Sequence, residues 1–409
     1  MAVNQITKRS ATLLRLCILL ASLAATGANA EDKQKNTVSP ETFKALNKAR
    51  ELSDTSRFQE AVSLLKAHLP KVAGNRYEAA MINQYLAYAY LEDHRNAQAM
   101  KALEAALAGA DTLPADSVQN LRYNLAQVAM QTGKYEKAAA ELDKWFPLEK
   151  SPSADAWYMR GLAYYKLSRF KQATAPLKKA IALSAHEDWY VLLLSIYLEQ
   201  KQYRDAISVL NQLLSLYPGK REYWMNLVDA QLILKDYDKA LATLILVHHR
   251  FDLEEKDLLR LAQLYMHQNI PYSAAKLLTQ MFKTGRIARS AANMELLANS
   301  WALAREHEKE LEVLKQVAAM KNDGASYLRC AHIQLKLTRW KEAMAMLEKS
   351  LATGNLKNPE QAHLLMGIAA FNAGNAGRAV SAFTEAGKYR KTKGQAARWL
   401  QQVNAKKHG

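Results

Sequence analysis

The side chains best equipped for chemistry are few in this chain. Among 409 residues there are two cysteines and ten histidines. His248 and His249 are adjacent, which sends their rings to different faces of a helix and unsuits them to chelate one ion. The other histidines stand singly, and with no paired ligands a structural zinc site has no basis. Glu308, Glu310 and Glu312 crowd one segment, where solvated helix-surface charge is the ordinary explanation. No G-x-x-x-x-G-K-[ST] phosphate cradle, G-x-G-x-x-G behind a strand, H-E-x-x-H or G-x-S-x-G occurs in the sequence. The residues point to no enzyme, no cofactor and no metal, so the remaining chemistry is that of a binding surface.

The elements that carry this surface are set by a repeat. Small residues recur at Ala61, Ala99, Ala138, Ala173, Ala206, Ala240 and Ala274, then Glu310 in the alanine's place, Ala343 and Ala379, with steps of 38, 39, 35, 33, 34, 34, 36, 33 and 36 residues. An aromatic usually stands three residues before this marker and an apolar residue four after it. A period near 34 is that of stacked helix-turn-helix units rather than of an enzyme core.

The cleanest unit spans residues 157–183, where Trp157, Gly161, Tyr164, Phe170, Ala173, Leu177 and Ala180 take the spacings of the tetratricopeptide repeat, which the segment closely resembles. Gly161 and Ala173 are small because two helices cross there, while the aromatics fill the space beside them. Two departures stand out: Glu310 replaces the small residue, and Arg160 stands where that family usually has leucine. The resemblance implies an all-α fold, a right-handed α-solenoid (superhelix) of about ten such repeats over residues 41–390. It also implies a concave groove lined by the first helix of each pair, and so places Met81, Gln84, Tyr88, Tyr123, Gln127, Met130, Tyr158, Tyr165 and Lys166 on the concave side. Aromatics and methionines interleaved with amides suit a peptide or helix partner. Any one such tyrosine is more often core than contact; the clustering over three successive repeats marks the set. The Lys and Asn pattern of chaperone-docking members is not reproduced.

A narrower likeness lies in the second half, in YPGKREYW at 217–224, PYSAAKLL at 271–278, LANSWALARE at 297–306 and GNLKNPEQAHLLMGIAAFNAG at 354–374. These phrases are similar to periplasmic tetratricopeptide proteins encoded beside TonB, ExbB and ExbD type energy-transducing complexes of Gram-negative bacteria. The likeness implies a protein-binding accessory of an outer-membrane uptake system, with TonB, ExbB or ExbD type partners.

Lys8, Arg9 and Arg15, an apolar run over 16–25 and the exit Ala28, Asn29, Ala30 describe a cleavable signal peptide over residues 1–30, hence a periplasmic protein. Cys17 opens that apolar run instead of closing it, the wrong order for lipid attachment. Cleavage leaves Cys330 as the only thiol, which excludes an internal disulfide and reads as a buried, inert group. Residues 31–40 form a polar, disordered linker and 391–409 a capping helix with a basic tail.

Removing Lys8, Arg9 and Arg15 takes the net charge from +17 to +14, as 53 basic minus 39 acidic residues. Residues 156–186 hold six basic side chains and no acid, 258–294 five and none, and the tail after Glu385 seven and none: Lys388, Arg390, Lys391, Lys393, Arg398, Lys406 and Lys407. Such stretches suit an anionic envelope surface of phospholipid, lipopolysaccharide or peptidoglycan, an alternative function; equally, they keep a long apolar array soluble. Export excludes nucleic acid as a partner. Residues 189–198 and 241–247 are apolar nearly all round and need cover on more than one side; either neighbouring repeats supply it or the stretches mark a patch for a partner or a second copy.

Overall fold

The computed structural model describes residues 37–354 and 356–408; the expected signal peptide, Cys17 and residues 31–36 of the linker lie outside them. Among the described residues there are twenty-one α-helices and no strand. A first compact unit ends at Ser215 and a second begins at Leu216. The first holds the helix pairs α1 (Pro40–Asp54) and α2 (Phe58–His68), α3 (Arg76–Glu92) and α4 (Asn96–Leu107), α5 (Ala115–Gln131) and α6 (Tyr135–Trp145), α7 (Ala154–Lys166) and α8 (Phe170–Leu183), α9 (Glu187–Glu199) and α10 (Tyr203–Leu216). The second holds α11 (Arg221–Ile233) and α12 (Tyr237–Arg250), α13 (Glu255–His267) and α14 (Pro271–Lys283), α15 (Ala291–Leu303) and α16 (His307–Lys321), α17 (Gly324–Lys336) and α18 (Trp340–Ala352), α19 (Pro359–Asn372) and α20 (Ala376–Gly387), with α21 (Lys393–His408) beyond them. The fold is an all-α solenoid of tetratricopeptide-like repeats. No described helix is long and apolar enough to cross a membrane.

Each pair closes on its small residue. All nine marker alanines have 0 % exposure. A Cβ on Gly161 would stand 2.6 Å from Leu177 Cγ, and one on Gly367 2.5 Å from the Phe383 ring, so both glycines mark helix crossings with no room for a methyl group. The two departures are accommodated differently. Glu310 is buried, with its carboxylate 3.2 Å from His307 Nδ1. Arg160 lies over the Phe146 ring and donates to Asp143, which also accepts from the Tyr164 hydroxyl. Cys330 is buried, and burial pushes its thiol up to about 11. Of the two all-apolar stretches, that of α9 buries seven residues between Trp189 and Tyr197 and leaves Leu198 exposed, and that of α12 leaves Leu246 exposed.

The turn inside every pair is equally uniform. Five residues before each marker stands a residue in the left-handed region, at φ between 55 and 77°: Ser56, His94, Gly133, Ser168, Lys201, Lys235, Asn269, Arg305, Thr338 and Gly374. The amide that follows it donates to the carbonyl five residues earlier, as in Arg57 to Leu52 (2.7 Å) and Glu306 to Trp301 (3.0 Å). This closes the open end of the first helix and reverses the chain in one step.

At the N-terminal end a buried polar cluster ties α1 to α3. Glu78 accepts from the Ser39 amide (2.8 Å) and the Thr42 hydroxyl (2.5 Å), and Thr42 Oγ1 lies 3.0 Å from His68 Nε2. Because the Thr42 proton goes to Glu78, His68 Nε2 is the donor in the last contact. Burial opposes the charged form of Glu78, but the hydrogen bonds from Thr42 and Ser39 and the His68 ring together hold its carboxyl below the usual value. A lowered carboxyl contributes stability above its ordinary pKa and loses it as the pH falls through the lowered one.

Gly367→Ala is expected to cost about 1–3 kcal/mol, read from the midpoint of urea unfolding. Gly377→Ala, in α20 with nothing near its Cβ position, should instead gain up to about 1 kcal/mol; equal midpoints would remove the helix crossing as the reason for Gly367. Glu78→Gln should destabilise at neutral pH by about 1–3 kcal/mol. Its difference from the parent should narrow as urea titrations are carried down through and below the ordinary carboxylate pKa of about 4.3, and a difference constant over that range would show that the carboxylate charge is irrelevant.

Candidate functional site

Counting back from the marker gives the residues expected in the groove a register. Met81, Gln84 and Tyr88 stand 18, 15 and 11 residues before Ala99, and Tyr123 and Gln127 stand 15 and 11 before Ala138. In the structure Gln84, Tyr88, Gln127 and Tyr158 are buried, while Met81, Tyr123, Met130, Tyr165 and Lys166 are half-buried. Gln84 donates to the Tyr88 hydroxyl at 3.1 Å. The Oε1 atoms of Gln84 and Gln127 are buried without a partner among the described residues. Packing also claims part of the set. Tyr123 lies on Trp145 with ring centroids 4.9 Å apart, Tyr158 stacks on Trp189 at 5.0 Å, and Tyr165 meets Phe170 at 5.9 Å. Burial, with Asp188 adding to it, raises the Tyr158 hydroxyl to about 12.

In the second unit the same register is charged. Glu222, Met225, Asn226 and Asp229 stand 18, 15, 14 and 11 residues before Ala240; Lys256 and Arg260 stand 18 and 14 before Ala274. Together they line a furrow of about 430 Å³ bounded by α11 and α13. Its walls are ion pairs of two kinds. Arg221 Nη2 holds Asp257, which is 1 % exposed, at 2.5 Å, and Arg221 Nε is buried without a partner. Arg260 meets Asp229 at 2.7 Å on the surface. The latter contact recurs: Arg329, 14 residues before Ala343, donates to Asn299, 11 before Glu310, at 2.8 Å. Sequence reasoning did not single out this furrow. The available signal was charge at the register positions of α11 and α13, which by itself also describes a solvated helix face.

The remaining expected sites are dispersed. Lys388 pairs with Glu385 at 2.6 Å, and Lys391 donates to Asn358 at 3.1 Å. Arg390, Lys393 and Arg398 are exposed. Helix α21 docks through Ala396, Val403 and Trp399, the last stacked on Phe383. No cluster of metal-ligating side chains occurs among the described residues.

Comparison with known proteins agrees with the repeat reading. Residues 86–152 and 123–188 match one tetratricopeptide repeat family model, and residues 197–251 match another. These segments are tetratricopeptide repeats. No curated protein matches the chain. Similar solved structures include a tetratricopeptide repeat protein from Parabacteroides merdae, 17 % identical over 64 % of this chain and 99 % of that one with a TM-score of 0.36. Another is YrrB, a repeat protein with an unusual peptide-binding site, 18 % identical over 44 % and 90 % with a TM-score of 0.35. The Cut9–Hcn1 assembly is 12 % identical over 90 % and 96 % with a TM-score of 0.31.

Arg221→Ala leaves the Asp257 carboxylate buried and short of its main partner, and should cost about 3 kcal/mol in chemical denaturation. Arg260→Ala, which breaks an exposed pair, should stay within about 1 kcal/mol of the parent. Equal losses would contradict the division into structural and surface pairs.

Proposed function

We propose that the protein is an exported, non-enzymatic scaffold of the cell envelope that holds a segment of another protein against the first helices of its repeats. Tetratricopeptide repeats typically serve as non-catalytic platforms for protein–protein contact. The observation that carries the reading is the furrow bounded by α11 and α13, where the register positions left over from packing bear charged and amide groups around an open space. Such a furrow takes an extended or helical segment, with apolar side chains supplying area and polar groups fixing the backbone. Export rests on the order of basic, apolar and A-x-A residues at the N-terminus. The narrower role, an accessory of a TonB-type complex powering outer-membrane uptake, rests on the four phrases of the second half; the partner would be a TonB, ExbB or ExbD type protein. The basic stretches would speed the encounter with an acidic partner.

A photo-crosslinking amino acid at Asn226, in the full chain expressed in a Gram-negative host carrying the candidate complex, tests this. The expected result is a mature N-terminus at Glu31 and a crosslink to a TonB, ExbB or ExbD type protein, weakened about tenfold or more by Arg260→Glu. Recovery of none of these proteins removes the specific partner, and retention of residues 1–30 removes the envelope location.

A further inference from the structure

The second helices of the repeats carry a separate opening. A furrow of about 370 Å³ runs between α8 and α10 over α9. Its floor is Tyr190, Leu193 and Tyr197, all more than nine-tenths buried, and the Tyr197 hydroxyl donates to no group among the described residues but lies near the Lys178 ammonium, whose pKa it raises. Its rim is exposed and polar, with Lys178 on one bank and Asp205 and Ser208 on the other. Lys178 lies over the Tyr197 ring at 5.6 Å and makes no ion pair among the described residues. Seven residues earlier on the same stripe of α8 stands Lys171, and Lys179 adjoins. No acid occurs between residues 156 and 186, so the Lys178 bank is uniformly positive; Asp205 is the one carboxylate at the rim.

An apolar floor, a polar rim and a half-open mouth match the recess that receives a single anchoring side chain from a partner, rather than the enclosure of a small-molecule site. We infer that the furrow between α8 and α10 is a second docking site, distinct from the inner face, for an acidic protein segment that inserts one bulky apolar side chain. The side chain covers Leu193 and the two tyrosine rings, flanking carboxylates pair with Lys178 and Lys171, and a backbone carbonyl of the segment accepts from the Tyr197 hydroxyl. This assignment gives Lys171 and Lys178 of the basic stretch over 156–186 a direct contact, beyond speeding the encounter.

The test uses the full mature chain and a fluorescein-labelled peptide of sequence Glu-Glu-Leu-Phe-Glu-Glu, with Lys-Lys-Leu-Phe-Lys-Lys and Glu-Glu-Ser-Ser-Glu-Glu as controls, followed by fluorescence anisotropy. The acidic apolar peptide should bind about tenfold or more tightly than either control. Ser208→Trp, which plugs the mouth from an exposed position, and Lys178→Glu should each weaken it about tenfold, with unchanged thermal melts. Arg260→Glu should leave it unaffected, which separates this site from the inner face. Three results overturn the inference: no preference over the controls, full binding by Ser208→Trp, or self-association of the chain that Ser208→Trp abolishes. So does retention on phosphatidylglycerol vesicles that Lys178→Glu removes and Ser208→Trp does not, which would assign the bank to lipid.

Discussion

The close approach of two helices at one small residue is the constraint on which the rest depends. Nine of the ten markers are alanines without exposed surface, because a larger side chain would hold the backbones apart and open voids on either side. Where glycine takes the matching position on the first helix, the partner fills the space: Leu177 lies against Gly161, and Phe383 against Gly367. Glu310 shows that the rule concerns space and satisfaction rather than identity. Its chain occupies the crossing while its carboxylate meets His307 at the margin.

The turn fixes what the crossing alone leaves open, namely the rotation of each helix about its axis. A left-handed residue always five positions before the marker, followed by an amide bonded back across the turn, sets the phase of the pair. The repeat period was legible from alanine and aromatic spacing. The left-handed positions were not, because only Gly133 and Gly374 of the ten are glycine. Lysine, arginine, histidine or threonine there gives no sequence signal; the roughly 1–2 kcal/mol such a conformation costs is offset by the backbone bonds that only the folded turn makes.

The first-helix face expected to carry the groove was legible in kind more than in contact. The run Met81, Gln84, Tyr88 and its counterparts could be placed on one face by register, but not the diversion of Tyr123 onto Trp145 or of Tyr158 onto Trp189. An aromatic side chain takes the nearest apolar neighbour, and that neighbour comes from another helix. The charged furrow was less legible still. Asp229 and Arg260 lie 31 residues apart, so each alone resembles a solvated surface charge, and only stacking of successive first helices brings them to 2.7 Å.

The Arg221–Asp257 and Arg260–Asp229 pairs of that furrow are unequal, and the inequality bears on what each can do. Asp257 is sealed from water, so Arg221 is needed to keep the wall intact and is not available for exchange. The Arg260 and Asp229 side chains are 36 % and 52 % exposed, and a pair of that kind is worth only about 0–1 kcal/mol. An incoming carboxylate can therefore replace Asp229 on Arg260, and an incoming ammonium can replace Arg260 on Asp229, at small net cost. The buried pair keeps the shape of the recess while the exposed one leaves Arg260 open to exchange, so an acidic segment of the proposed partner would take the place of Asp229 at small net cost.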